Sequence, residues 1–120
     1  MRFLILSFFI SSLSISAKSL EAEKNLLCAY TTGIIFQNEV SNMPYTDKTK
    51  HCSLSCIMAV NCRASSSLII GVAKEAYDLI GPGQADLLDI RANIIGIKYY
   101  LQGKARNNKE CKRKCIREFN

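Results

Sequence analysis

One histidine, three carboxylates and one amide are the residues of this sequence whose spacing has chemistry to offer. His51 is the only histidine in 120 residues, so any imidazole acid–base step must use it. It opens a cysteine-bearing helical stretch, Lys50–Arg63, in which disulfides would hold its position. Glu75 lies on the next helical segment, at the edge of an apolar arc. Asp86, Asp89 and Asn93 follow at helical spacing, within about 60° of one another on a 3.6-residue turn. A histidine beside a carboxylate has an oriented ring and a raised proton affinity, as hydrolysis requires. The expected catalytic set is therefore His51 as base or acid, Glu75 as its orienting partner, and Asp89 with Asn93 holding substrate. No cofactor is required and no metal ligand set is assigned, although clustered carboxylates offer the oxygen ligands that calcium takes. Asp86 also reads as a helix cap, and Asp89 in part, because both sit where a helix N-terminus favours a carboxylate. Asn93 and Gly96 are different: both cost helix stability, and neither is explained by local preference.

The elements that must position these residues are all helical. In Asp86–Leu101, Leu87, Ile90, Ile94, Ile97 and Leu101 form one apolar arc, and Leu88, Ile95 and Tyr99 form a second, so this helix is expected to pack on two sides. In Leu68–Ile80 the expected core-facing arc is Ile69, Val72, Ala73, Ala76 and Ile80, widened by Leu68, Leu79 and Tyr77. Thr31–Phe36 has the β-branched character of a strand, but no other stretch could pair with it, so Lys18–Asn42 is read as a helix. Breaks are expected at Pro44, at Ser65–Ser67, at Gly81-Pro82-Gly83 and at Gly103, with Asp47 or Thr49 capping the helix that holds His51. The fold class is all-α: a small, disulfide-tied bundle of four to five helices.

Residues 1–17 read as a secretory signal peptide, with Arg2 as the positive start, an apolar run over Phe3–Ile15 and small residues at Ser16 and Ala17. The run is shorter than the roughly 20 apolar residues of a membrane span, so none is expected in the mature chain. That leaves 18–120 as a single domain, secreted or periplasmic, in a compartment where its six cysteines would oxidise. Cys52-x-x-x-Cys56 and Cys111-x-x-x-Cys115 each put two thiols one turn apart on a helix face. Two such helices packed antiparallel can form the bridges 52–115 and 56–111, which leaves Cys28 for Cys62. Zinc is disfavoured, because its sites usually use C-x-x-C spacing.

The net charge is +6, and much of it lies in the basic segment 104–120. Lys109, Lys112, Arg113, Lys114 and Arg117, preceded by Lys104 and Arg106, could attach the domain to anionic lipid or a cell-wall polymer. Nucleic acid is not an expected partner, since tryptophan is absent and aromatic residues are too sparse for a stacking platform.

The order Lys50-His51-Cys52-x-x-Ser55-Cys56, Gly71-x-x-Lys74-Glu75-x-x-Asp78, Asp86-x-x-Asp89-x-x-Ala92-Asn93-x-x-Gly96 resembles a helical module at the C-termini of bacterial Rhs-type and other polymorphic-toxin-like secreted proteins. The resemblance spans about residues 50–97. It implies a shared polar set of His51, Glu75, Asp86, Asp89 and Asn93 and a toxin-associated role, without specifying a reaction. Secreted phospholipase A2 is similar in being small, helical, disulfide-rich and dependent on His and Asp. Here, however, His51 is followed by Cys rather than Asp, and Gly81-Pro82-Gly83 lacks the surroundings of a calcium loop.

Overall fold

The computed structural model describes the backbone from Arg2 onward except at Pro82 and Gln84, and side chains from Glu21 onward. The leader read over residues 1–17 lies outside the residues whose side chains are described. Among the described residues five helices follow one another: α1 Arg2–Ser41, α2 Asp47–Asn61, α3 Ala64–Ile80, α4 Leu87–Leu101 and α5 Asn108–Phe119. The fold is all-α. Among the described residues there is no strand, and no helix is long and apolar enough to cross a membrane.

α2 is the hub, packing against each of the other four helices. It starts earlier than its sequence suggests. Thr46, in extended conformation, is the N-cap, and its hydroxyl accepts the Thr49 N–H at 3.2 Å. Asp47 and Thr49 therefore do not cap it. Asp47 instead occupies the first turn, where the helix dipole favours its charge. The break between α2 and α3 also falls earlier than Ser65–Ser67, at Cys62 and the extended Arg63. Ser66 and Ser67 are then free to lie inside the helix and become buried, with the Ser67 hydroxyl donating to the Ser55 carbonyl of α2 at 2.7 Å. α4 ends at the glycine that the sequence marks. Gly103 has φ +68, and the N–H groups of Gly103 and Lys104 return to the carbonyls of Tyr100 and Tyr99. This left-handed closure satisfies the last carbonyls and suits glycine.

The three bridges are those the spacing suggested. Cys52–Cys115 and Cys56–Cys111 bolt α2 to α5, with Cα–Cα distances of 5.7 and 5.6 Å, and Cys28–Cys62 joins α1 to the end of α2 at 5.7 Å. Around them lies the apolar core: Val40, Cys56, Ile57, Ala105 and Cys111 in one cluster, Cys52, Ala92 and Cys115 in another.

The apolar arcs of α3 and α4 depart from expectation. On α3, Leu68, Ile69, Val72, Tyr77, Leu79 and Ile80 are exposed, and the buried stripe is Ser67, Gly71 and Glu75. On α4, Leu87, Leu88, Ile94 and Leu101 are exposed, whereas Asp89, Ala92, Asn93, Gly96 and Ile97 are buried. Interhelical distance gives the reason. A Cβ on Gly96 would stand 2.2 Å from the Cys52 carbonyl oxygen, so α2 and α4 meet backbone to backbone. Only the face that carries glycine, alanine and short polar side chains admits such an approach. Leu87, Leu88, Ile94 and Leu101 are too bulky for it and turn outward.

Candidate functional site

Asp89 is the centre of the polar network. It sits on the buried face of α4, one turn before Asn93, and points at the first turn of α2. His51 Nε2 lies 3.3 Å from Asp89 Oδ2 and 3.6 Å from Asp47 Oδ2, one helical turn back on α2. The Lys48 ammonium bridges Asp89 Oδ1 and Asp86 Oδ2, the latter at 2.5 Å. Hydrogen bonds that it donates to Asp86 and Asp89 hold the Lys48 ammonium well above the ordinary lysine value. The Lys48 hydrogen bond, reinforced by the Leu88 N–H, holds the Asp86 carboxyl below its ordinary value. Asp86 is at once the N-cap of α4, accepting from Leu88 N at 2.8 Å, and a ligand of Lys48. The capping role read from the sequence holds for Asp86. Asp89 is no cap; its carboxylate is taken up by Lys48 and His51.

Glu75 does not act as the partner of His51. Its carboxylate, buried on α3, accepts the Asp86 N–H at 3.1 Å and meets Lys74 Nζ at 3.4 Å. It thereby fixes the start of α4 relative to α3 and positions Asp86 and Asp89 from behind. Asp89 takes the place expected for Glu75 because the close α2–α4 packing brings it, and not α3, to the first turn of α2. Lys74 also binds Asp78 Oδ2 at 2.7 Å. Burial acts to lower its proton affinity, but the Asp78 hydrogen bond and the Glu75 charge outweigh that and raise it.

Asn93 is 4% exposed and packs on α3 where there is no side chain, since a Cβ on Gly71 would lie 2.9 Å from its Nδ2. It lines an open cleft of about 560 Å³ formed by α1, α2, α3 and α4. Tyr30, Ile34, Leu54, Met58 and Ile70 supply apolar walls; His51, Asp47, Lys50, Lys74 and Asn93 are among its polar lining. His51, Asp89 and Asn93 are thus brought together, with His51 and Asn93 facing the cleft and Asp89 directly behind the imidazole.

Sequence reasoning missed three participants. Asp47 was legible as the i, i+4 neighbour of His51. Lys74 was legible as the i, i+4 partner of Asp78 on the same helix, whereas Lys48 carries no local signal, because what it reaches depends on where α4 lies. Ligand atoms of Asp47, His51 and Asp89 all fall within 4.8 Å of one another, a spread that one metal ion could bridge. The sequence assigned no metal ligands. The Lys48 ammonium already supplies positive charge to Asp89, so a metal there would share that carboxylate with a fixed cation.

The cations of the basic segment sort by the geometry of α5. Lys109, Arg113 and Arg117, four residues apart, form one exposed stripe opposite the buried Cys111 and Cys115. Lys112 is paired with Glu39 of α1, and Lys114 is half-buried.

Comparison with protein families, with characterised proteins and with solved structures found no match.

Proposed function

We propose that this is a small exported protein of the toxin-associated type, secreted or periplasmic, that hydrolyses an acyl-chain-bearing component of the cell envelope. One observation carries the reading: the His51–Asp89 pair, 3.3 Å apart, stands at an apolar cleft large enough for a hydrocarbon chain. With Nε2 3.3 Å from Asp89 and 3.6 Å from Asp47, Nδ1 is the imidazole nitrogen left to take a proton from water. The activated water oxygen bonds the ester carbonyl carbon while its proton passes to His51. The buried Asp89 carboxylate stabilises the imidazolium so formed. Collapse of the tetrahedral intermediate breaks the carbon–oxygen bond, and the proton goes from His51 to the leaving alkoxide. The Asn93 amide lines the same cleft and offers a donor there. Three disulfides fit maturation outside the reducing cytosol.

The test is release of fatty acid from phosphatidylglycerol–phosphatidylethanolamine mixed micelles by the oxidised protein, followed by mass spectrometry, alongside growth of cells exporting it to the periplasm. Wild type should release product and slow growth. His51→Ala and Asp89→Asn should lose about 10²–10⁴-fold in rate, the usual worth of a positioned general base. A wild type with no turnover, or a His51→Ala variant as active as wild type, overturns the proposal.

A second reading rests on the α5 stripe: a non-enzymatic protein that places Lys109, Arg113 and Arg117 on an anionic polymer. Such binding would fall steeply with salt and be indifferent to His51.

A further inference from the structure

The most exposed large apolar side chains of the described residues gather at one end of the molecule. Ile80 is 88% exposed, Leu87 81%, Leu79 77% and Tyr77 71%, with Leu88 also exposed. All five flank the short connection between α3 and α4. The α4 end of that connection is held against α3 by the Asp86–Glu75 hydrogen bond, so the five side chains share one hairpin end. Monomeric soluble proteins rarely present apolar surface so concentrated unless something covers it.

We infer that this hairpin end is a docking surface for an anionic lipid bilayer, with its leucine, isoleucine and tyrosine side chains seated in the interfacial layer. Charge favours that occupant. The carboxylates nearest the end are already compensated: Asp78 by Lys74, Glu75 by Lys74 and the Asp86 N–H, Asp86 and Asp89 by Lys48. The hairpin therefore approaches anionic headgroups with its local negative charge neutralised. Farther along α4, exposed Arg91 and Lys98 alternate with exposed Leu87, Ile94 and Leu101 on one face. Long cationic side chains interleaved with apolar ones suit the boundary between headgroups and acyl chains. The three disulfides join α1, α2 and α5, so α3 and α4 are held to the rest of the molecule without a covalent tie. The ion pairs of Lys74 and Lys48 also connect this end to the cleft: Lys74 lines it, and Lys48 shares Asp89 with His51. Docking at the hairpin would set the polar lining of the cleft beside the bilayer surface. That consequence rests on the hydrolase reading; the docking itself does not, and it is measured without turnover.

The test uses the exported, disulfide-bonded protein and vesicles of phosphatidylcholine with or without phosphatidylglycerol. Because the chain has no tryptophan, Leu87→Trp gives a single local probe. Its emission should shift to the blue on phosphatidylglycerol vesicles and be quenched by brominated acyl chains. The double variant Leu79→Asp/Ile80→Asp should lower vesicle partitioning by roughly a hundredfold, since two buried apolar groups are replaced by charges. A triple reversal on α5, Lys109→Glu/Arg113→Glu/Arg117→Glu, should keep most of the partitioning and the tryptophan shift. The inference is overturned if the probe stays in water, if the α5 reversal abolishes binding while the hairpin variant does not, or if the hairpin substitutions only dissolve a dimer seen by sedimentation. Vesicle docking without ester hydrolysis would retain this inference and reject the hydrolase; hydrolysis of micellar substrate without docking would do the reverse.

Discussion

The α2–α5 half and the α3–α4 half of this molecule are built on opposite rules. In the first, two disulfides and an apolar cluster around Ile57 form the interior together with the short Thr49, Ser53 and Ser55, and Lys109, Arg113 and Arg117 face out. In the second, serine, glycine, glutamate, aspartate and asparagine are buried, and the leucines with Ile69, Ile80 and Ile94 face out. The difference shows what the covalent half allows. Where bridges limit the unfolded chain, the neighbouring helices need not bury their largest apolar groups and can turn their polar residues inward as a site.

Removing the covalent frame is the strongest way to break the contrast. Replacing Cys52, Cys56, Cys111 and Cys115 together by serine removes both bridges and opens a loop spanning 63 residues. In the chain-entropy model it should cost at least about 4 kcal/mol, read as a fall in the denaturant midpoint. Side-chain truncation should separate the halves next. Ile57→Ala, in the buried cluster, should cost about 2–5 kcal/mol, whereas Ile80→Ala, at the exposed hairpin end, should stay within about 0.5 kcal/mol. Equal costs would mean the hairpin end is buried in solution. Gly96→Ala probes the backbone contact itself. With the added methyl 2.2 Å from the Cys52 carbonyl, a loss of about 1–3 kcal/mol is expected in thermal unfolding. A tolerated Gly96→Ala would show that α2 and α4 stand farther apart.

Acid and alkali sharpen the comparison further. The Asp86 carboxyl is lowered by Lys48 and the Leu88 N–H, so its contribution is present above the ordinary value of 3.8 and is lost as pH falls through the depressed folded value. Tyr99 behaves in the opposite sense. Burial, aided by its hydrogen bond to Glu118 at 2.6 Å, pushes its phenol from 10.0 up to about 12. Its stabilising share is therefore intact below 10.0 and lost as pH rises towards about 12. Unfolding midpoints of Lys48→Met and Tyr99→Phe measured against pH should each flatten one limb: the acid one for Lys48→Met, the alkaline one for Tyr99→Phe. The smallest effect concerns Ser53, whose buried hydroxyl has no partner among the described residues. Ser53→Ala should be neutral to about 1 kcal/mol stabilising, because it removes an unsatisfied polar group.

What the sequence determined by itself is local or covalent. Helix-period patterning ruled out a sheet, Gly103 marked the end of α4, and the twin one-turn cysteine spacings allowed a paired α2–α5 ladder because thiols at i and i+4 share a helix face. The oddity of Asn93 and Gly96 was legible as well, since both act against local helix preference. The tertiary structure decided which face each helix buries, and with it the site. Apolar periodicity says that a helix has two faces. It does not say whether the neighbour approaches closely enough to demand the small polar one. At Gly96 the neighbour does, and that contact exchanged Glu75 for Asp89 beside His51, recruited Lys48 and left the leucines of the hairpin in the open.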